Sequence, residues 1–406
     1  MSKLDELIAE LCPDGVEYKT LGTICEIRSG WGFPNIEQGK TSGDYPFYKV
    51  GDMNSFGNEF VMTVANNYVD LETATRLRCK PAPKGTVIFP KIGAAIGTNK
   101  KRILAQEACY DNNIIGLIPS DAVISRYLFY QMEAVNLMRF ADYSGAMPSI
   151  RKTTLEKFRI PVPPLPVQQE IVRILDNFTE LTAELTAELT ARRKQYEYYR
   201  DLLLTFGDEV PRVAIDDLFN IRNGYTPSKS NKEYWENGVI PWFRMEDIRE
   251  NGRILSNALQ HVSINAVKGR PFPANSIIIS TSATIGEHAL IQTEFLANQR
   301  FTILSLKNEY QDVNIKYLFY YCYILGEWCK NNLTLGHFAS VDMVAFKKFR
   351  IPLPPLKEQE RIVAILDRFD ALCNDLTSGL PAEIEARQKQ YEYYRDKLLS
   401  FKEVKA

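Results

Sequence analysis

Two long stretches of this chain carry apolar residues at a nearly constant step of three or four. In the first, Ile171, Ile174, Phe178, Leu181, Leu185, Leu189, Tyr196, Tyr199, Leu203 and Phe206 form one stripe. With Arg192 as the missing step, ten steps cover 35 residues, a mean of 3.5. That is the coiled-coil period, not the 3.6 of a lone surface helix. In the second, Ile362, Ile365, Phe369, Leu372, Leu376, Ile384, Tyr391, Tyr394, Leu398 and Phe401 repeat the stripe. Two long helices are predicted, packed most simply on each other and antiparallel; packing of each on its own domain is the alternative. From Val167 to Phe206 the first would be roughly 60 Å long. The second contains Ser378-Gly-Leu-Pro381, a stop–start signal, in a spacer of 20 residues from Phe369 to Lys389 against 16 from Phe178 to Lys194. The extra turn is expected to loop out there.

Each helix ends a copy of one text, Lys157–Phe206 and Lys348–Phe401, that opens on a proline hinge. Ile160-Pro-Val-Pro-Pro-Leu-Pro166 must be extended, because residues before proline are pushed out of the α region. Both copies hold Tyr-Glu-Tyr-Tyr-Arg-Asp, at Tyr196–Asp201 and Tyr391–Asp396. Hinge and hexapeptide read as two equivalent docking stations, with Tyr198 and Tyr393 off the apolar seam; local packing is the bland reading.

The segments between are shorter in period. Leu4, Leu7, Ile8 and Leu11 mark a short helix over 2–11, stopped by Cys12-Pro-Asp-Gly15. Thr86–Phe89 and Ile114–Ile118 read as strands, and Ser125–Phe140 as a helix. The second segment repeats the first at an offset of 189 to 195. Ile27-Arg-Ser-Gly-Trp31 matches Ile221-Arg-Asn-Gly-Tyr225, and Tyr45–Asp52 matches Ile240–Asp247. Ala94–Gly97 matches Ala283–Gly286, and Tyr127–Tyr130 matches Tyr317–Tyr320. What lies between these anchors differs, as two sites for two targets would require. Phe401-Lys-Glu-Val404 stops where a return to Gly15-Val16 would begin, so the termini are expected close together. The fold class is α+β: two similar α/β domains joined by two long antiparallel coiled-coil helices, pseudo-twofold. The boundaries are 1–156, 157–206, 207–347 and 348–406.

Composition narrows this further. With 406 residues, 45% apolar, 24% charged and a net charge of −1, no global field marks a nucleic-acid partner, so any such role rests on local patches. Met1–Gly15 carries acids where a signal peptide carries bases, and no apolar run reaches membrane length, so a cytoplasmic protein without a membrane partner is expected. Seven cysteines without paired spacing read as reduced thiols, and three histidines, at 261, 288 and 337, make zinc improbable. Gly39-Lys-Thr41 is no phosphate loop, since Gly32 is two residues too far upstream, and no GxGxxG or Asn/Asp-Pro-Pro-aromatic tetrad occurs.

With hinge, doubled helix and the tandem Thr182-Ala-Glu-Leu and Thr186-Ala-Glu-Leu tetrads together, the chain resembles the specificity subunit of type I restriction–modification enzymes, in the subclass with such spacer repeats. The resemblance implies two target-recognition domains, each reading half of a bipartite site on double-stranded DNA. It implies a phage-defence complex with two modification subunits, holding S-adenosylmethionine, and two restriction subunits, using ATP and Mg. It implies no catalytic residue, metal or cofactor in this chain, and a spacing set by the number of tetrads. Two tetrads suggest an unread gap of about six base pairs, with half-sites about one helical turn (~10 bp) apart. Partner contacts would fall to Tyr198, Arg200, Tyr393 and Arg395. Two other classes stay open at this point: a coiled-coil scaffold binding only protein, and an enzyme acting on DNA alone.

Arg76–Arg102 holds eight basic residues and no acid, and reads as phosphate contact: Arg76, Arg78, Lys80, Lys84, Lys91, Lys100, Lys101 and Arg102. Base-edge contacts need polar side chains on loops. In the first domain Arg28, Trp31, Lys91, Asn99, Lys100, Asn112 and Asn113 are the candidates. In the second they are Arg222, Tyr225, Arg244, Ser280, Thr281, Asn298, Gln299 and Arg300. The first domain is expected to supply more of the salt-dependent affinity, because only Arg253, Lys268 and Arg270 lie between Glu250 and Glu287. Ser144–Pro148 and Leu335–Phe338 match as reading loops or tight turns.

Overall fold

The computed structural model describes residues 2–334, 339–375 and 378–404. The chain forms two compact units, Met1–Thr182 with Arg387–Ala406, and Ala183–Ala386. The spacer helices therefore do not stand apart as 157–206 and 348–406: each is shared between units. The reason is burial, since the helix ends carry the apolar residues that complete each core.

In the first unit five strands, β1 (Cys25–Ser29), β2 (Val61–Met62), β3 (Val87–Pro90), β4 (Arg102–Leu104) and β5 (Ile114–Pro119), form a sheet of order β1-β5-β3-β4-β2. Only the β2–β4 pair is parallel. Central β3 is buried at every position, which explains its unbroken apolar run. A three-stranded sheet centred on Tyr45–Tyr48 lies beside it, flanked by Tyr68–Val69 and Cys109–Tyr110.

Next comes helix α1, Ser125–Glu133. It ends seven residues before the expected Phe140, and a separate turn covers Leu137–Phe140. A buried lysine causes the break. Lys101 Nζ donates to the Val135 carbonyl at 2.7 Å, Leu137 N–H donates to Asn99 Oδ1, and Asn136 Oδ1 accepts from Met138 N–H. The long helix α2 then runs Leu165–Leu203.

The second unit repeats the scheme. Its strands are β6 (Phe219–Asn223), β7 (Ile254–Leu255), β8 (Ser276–Ser280), β9 (His288–Ile291) and β10 (Phe301–Leu306), in the order β6-β10-β8-β9-β7, with β7–β9 parallel. Helix α3 is Ile315–Asn331, α4 is Leu356–Asn374 and α5 is Leu380–Leu398. The break falls at the anticipated Ser378-Gly-Leu-Pro, where the Ser378 hydroxyl donates to Asp375 Oδ2. Leu376, assigned to the stripe, lies outside the described residues.

The repeated text is largely internal bracing. Each hinge pairs as a strand, Arg159–Pro161 with Tyr18–Thr20 and Arg350–Pro352 with Arg212–Ala214. Ile160 and Ile351 are buried, so this part of each hinge serves its own unit, while Leu165 and Leu356 beyond it are exposed. The Tyr-Leu-Phe-Tyr anchors grip it: the Tyr127 hydroxyl donates to the Pro161 carbonyl at 3.0 Å, and Tyr317 to Pro352 at 2.8 Å. The second tyrosines, Tyr130 and Tyr320, each donate at 2.6 Å to an aspartate of the following helix, Asp176 and Asp367. Arg126 and Lys316 pair with the same carboxylates.

The helix stripes divide between both expected partners. Within the first unit Phe178 stacks on Tyr394, ring centroids 5.4 Å apart. Within the second Tyr196 and Tyr199 stack on Phe369 and Arg193 donates to the Cys373 carbonyl, so this part of α2 runs antiparallel to α4. The same helices bury Ile171 and Leu175 in the first core and Ile362 and Leu366 in the second, Leu175 and Leu366 going deeper than their stripe neighbours Ile174 and Ile365. Between these ends, at the tetrads, Leu185 and Leu189 are half-buried and Leu181 is exposed. The first unit is closed by later residues: Val16 N–H donates to the Lys402 carbonyl at 2.8 Å and Val404 N–H to the Val16 carbonyl.

Candidate nucleic-acid interface

Strand direction decides which loops share an end of each sheet. In the first unit, the segments after β1 and β3 and those before β5, β4 and β2 all lie at one end. These carry Trp31, Lys91, Asn112, Asn113, Asn99 and Lys100. In the second unit the same end carries Tyr225, Thr281, Asn298, Gln299 and Arg300. Most candidate base-readers are therefore brought together, one group per unit.

The frame of this end is identical in the two units. Gly30 and Gly224 press against the neighbouring chain, where a Cβ would lie 2.0 Å from the Asp111 carbonyl oxygen and 2.2 Å from that of Asn298. Only glycine fits, which accounts for the repeated Gly-aromatic pair. Trp31 N–H then donates to the Tyr110 carbonyl and Tyr225 N–H to that of Ala297. Buried Asp52 accepts from Lys49 N–H at 2.6 Å and buried Asp247 accepts from Arg244 N–H at 2.6 Å. Each fixes the backbone of a basic residue beside the reading loops. Lys49 is a further candidate reader that the sequence reading missed, although its alignment with Arg244 across the repeat was the available signal.

Side chains on this frame differ. In the first unit Lys91 donates to Ser29 Oγ at 3.0 Å, Lys100 Nζ pairs with Asn54 Oδ1, and Lys49 Nζ donates to Gln38 Oε1 at 3.0 Å. Burial pushes the Lys91 ammonium below its ordinary pKa, opposed by the Asp111 carboxylate, while burial raises Asp111. Asn112 is exposed and Asn113 is held by Asp111. The Ser144–Pro148 turn lies at the same end, with the Pro148 carbonyl accepting from Gly93 N–H; its counterpart 335–338 is outside the described residues. In the second unit a cleft of about 630 Å³ is lined by Lys229, Lys232, Arg244, Arg300, Trp235, Trp242 and Gln299 among others. Thr226 Oγ1 pairs with Gln299 Oε1, Asn298 Oδ1 holds Arg300 N–H, and Arg244 lies over the Trp242 ring at 5.6 Å. Lys229 and Lys232 were not anticipated; they sit in the loop after β6.

Several candidates serve the fold instead. Arg28 is occupied by Glu26 at 2.7 Å and by the Lys80 and Pro81 carbonyls. Lys101 is fully buried, and Asn99 is a left-handed cap that accepts from Lys101 and Leu137. Ser280 is fully buried, donating to the Ser282 carbonyl, and Thr281 pairs with Thr302. Arg102 donates to the Lys101 and Met53 carbonyls. Arg222 lies over Phe272, and the Tyr225 hydroxyl donates to the Ala266 carbonyl. The basic run is not one face: Arg76 is paired with Glu37 at 2.5 Å, Arg78 is exposed with φ 53°, and Lys84 and Lys91 flank opposite ends of β3. On the helices, Tyr198 and Tyr393 are 65% and 63% exposed, whereas Arg200 and Arg395 pair with Asp201 and Asp396.

Beneath the reading ends the two units hold different buried bases at one register position. Lys101 on the approach to β4 corresponds to His288 at the start of β9. Burial lowers Lys101 to about 8. His288 has its ring 4.6 Å from Tyr323, and burial with the nearby Arg253 lowers it to about 3. Such a histidine folds neutral. Between its ordinary 6.5 and about 3, the unfolded chain takes up a proton that the folded chain does not, so stability falls as pH drops below 6.5. The loss should reach about 2 kcal/mol by pH 5, at about 1.4 kcal/mol per pH unit. Melting curves of His288→Gln should lack that slope; an unchanged slope would refute the assignment.

Among the described residues no group of three or more His, Cys, Asp or Glu is placed to hold a metal, and no helix is long and apolar enough to cross a membrane.

The sequence pattern of a type I restriction modification DNA specificity domain matches this chain twice, over residues 13–192 and 208–386. The chain is 61% identical over 206 residues to the type I restriction enzyme EcoprrI specificity subunit of Escherichia coli, spanning 48% of this chain and about half, 51%, of that protein. It is 40% identical over 295 residues to the EcoR124I/EcoR124II specificity subunit of Escherichia coli, covering 68% and 70% of the two chains. It is 30% identical over 405 residues to a putative type I restriction enzyme specificity subunit of Haemophilus influenzae, covering 95% and 96%. Its fold is shared with a chain solved in work on complex assembly and conformational transition of the type I R-M system, at TM-score 0.60, 16% identity and coverage of 95% and 98%. It is also shared with the type I restriction–modification S subunit from M. genitalium, at TM-score 0.53, 14% identity and coverage of 95% and 97%.

Proposed function

This chain belongs to the family of type I restriction–modification DNA specificity subunits, and we propose that it reads an asymmetric, split DNA site, one half with each unit. The carrying observation is the pairing of one frame with two sets of side chains. Gly30 and Gly224, Asp52 and Asp247 hold the same backbone, while Lys91, Lys100, Asn112 and Asn113 stand at this end of the first unit and Lys229, Arg244, Gln299 and Arg300 at that of the second. Equal frames suit equal docking on a duplex, and unequal side chains suit unequal sequences. Membership in the family makes the chain a DNA-recognition subunit, not an enzyme or a protein-only scaffold, working with other subunits and DNA.

The finer assignment is ours. The half-sites are separated by an unread gap of about six base pairs, within a spacing of about one helical turn. Two modification subunits, carrying S-adenosylmethionine, dock at the exposed Tyr198 and Tyr393 beside Arg200 and Arg395. Two restriction subunits, using ATP and Mg, join that complex. Tyr198 and Tyr393 support this reading because the same exposed ring recurs on both copies of one helix text, as two copies of one partner would use it.

Long-read mapping of methylated adenine in cells making the complex tests the split site directly; a continuous or symmetric target would overturn it. A second expectation concerns phosphate contact. In the complex with modification subunits, Lys100→Ala and Arg300→Ala should each reduce the slope of log affinity against log salt by about 0.9. Asn112→Ala and Gln299→Ala should leave that slope alone and relax the base preference of their own half-site. Slopes unmoved by both basic substitutions would place the DNA elsewhere.

A further inference from the structure

Phe56 is 94% exposed, the highest value for a large apolar side chain among the described residues. It does not sit on a slack loop. Asn58, fully buried two residues on, spends its whole amide on the loop. Its Nδ2 donates to the Asp52 and Val64 carbonyls at 2.8 and 2.7 Å, and its Oδ1 accepts from Thr63 and Val64 N–H at 2.8 and 2.9 Å. Thr63 Oγ1 donates to the Gly57 carbonyl, and Gly57 turns the tip at φ 90°. Beneath, Asp52 is the aspartate that fixes Lys49. An aromatic ring is thus held out into water on a braced tip, with nothing of its own unit over it.

The tip leads into β2, which is parallel to β4, so it lies at the sheet end that carries the readers. Lys100 pairs with Asn54 and Arg102 donates to the Met53 carbonyl, so cations flank its base. The second unit has no counterpart. There the segment between Arg244 and β7 is a helix, Met245–Asn251, without an aromatic residue.

We propose that Phe56 is a wedge that enters the base stack of the first half-site, between neighbouring base pairs. The proposal rests on the reading that this end faces DNA. Insertion returns the ring to an apolar, stacked environment, and it favours a step that unstacks readily, a pyrimidine–purine step. The edge strand β2 is two strands from β3, about 10 Å, or about three base-pair rises. The first unit gains a base-step preference there that no hydrogen-bonding side chain supplies.

The test uses the full chain with its modification subunits on a duplex carrying the mapped site, with 2-aminopurine placed in turn through the first half-site and its flank. The wild type should show a fluorescence rise at one step, apart from the rise at any base turned out for methylation. Phe56→Ala should abolish the first rise only, weaken binding about tenfold and leave the salt slope unchanged. Phe56→Trp should keep the rise. Lys100→Ala should keep the rise and lower the salt slope. Unchanged fluorescence and affinity in Phe56→Ala would overturn the wedge and leave DNA reading intact. Loss of subunit assembly in Phe56→Ala with the rise retained would give the ring to a protein partner and also overturn it. Absence of salt-dependent binding by the wild type would remove the DNA reading and the wedge together.

Discussion

Gln168→Ala is expected to destabilise the first unit by about 3–5 kcal/mol, and Gln359→Ala, with two such partners against three, the second by about 2–4 kcal/mol, at about 1–3 kcal/mol for each backbone group left unpaired and the lower end for the partly exposed ones. Gln168 is fully buried: its Oε1 accepts from Ile124 N–H at 2.9 Å, and its Nε2 donates to the Ala122 and Pro163 carbonyls at 3.0 and 2.8 Å. Gln359 does the same with Asn314 N–H at 2.9 Å and the Pro354 carbonyl at 2.8 Å. One side chain thus ties the proline hinge, the start of the long helix and the start of the domain helix. Alanine leaves these groups without their side-chain partner, and the Pro163 and Pro354 carbonyls, whose bonds are buried, lose most. Gln→Glu at either position keeps the acceptor and loses the donor, so it should also destabilise, while Gln169→Ala, on an exposed neighbour, should not. Hydrogen exchange of the full chain separates the effects: Tyr127–Gln131 should lose protection in the first variant and Tyr317–Tyr321 in the second. A loss under about 1 kcal/mol would mean that the hinge is held by its prolines alone.

Deleting Thr186–Leu189 is expected to move every methylated site to a different gap. The tetrads lie within α2, between stretches whose residues are buried in the two cores, and Glu184, Thr186, Ala187 and Glu188 are exposed. Of the four residues deleted only Leu189 is half-buried, and Leu185 of the remaining tetrad takes its place, so little packing is lost and the strong helix formers on either side rejoin in phase within about 40°. The helix shortens by about 6 Å, which corresponds to about one to two base pairs at about 3.4 Å each. The break between Asp375 and Gly379 gives the other helix text a place to take up the change. Long-read maps from cells carrying the deletion should show both half-sites unchanged and the gap reduced. Inserting a further Thr-Ala-Glu-Leu should lengthen it. An unchanged gap would end the ruler interpretation, and loss of all methylation from a folded, assembled complex would mean that only one spacing is permitted.

Much of this architecture could be read from the chain because repetition supplied an internal control. The stripe Ile171 to Phe206 marked α2, and Ser378-Gly-Leu-Pro marked the break. The repeated Gly-aromatic pairs marked a shared loop end of each sheet before their reason, the approach of Gly30 to the Asp111 carbonyl, was visible. Burial was harder. Lys101 and Ser280 look like surface polar residues, and only the fold shows them inside, each satisfied by backbone carbonyls. The basic run misled for the same cause: one-dimensional charge density ignores the buried strand β3 that carries Lys84 and Lys91 to opposite ends. The hinge looked like a docking text because it was identical twice. Identity there reflects two equal internal joints, gripped by Tyr127 and Tyr317. Phe56 escaped notice since nothing in its neighbourhood repeats.

The first unit depends on residues made after those of the second. Tyr391 and Leu399 are in its core, and Lys402 and Val404 pair with Val16. Residues 183–386 belong to the other unit. During synthesis the earlier unit must therefore wait, incomplete, for the rest of the chain. At about 5–20 residues per second that interval is about 10–45 s. Throughout it, the surface that Tyr391 and Leu399 will cover stays open on the ribosome, while the later unit, contiguous in sequence, closes first. Vectorial synthesis thus gives the second unit a head start, and the first acquires its full core only as α5 leaves the exit tunnel.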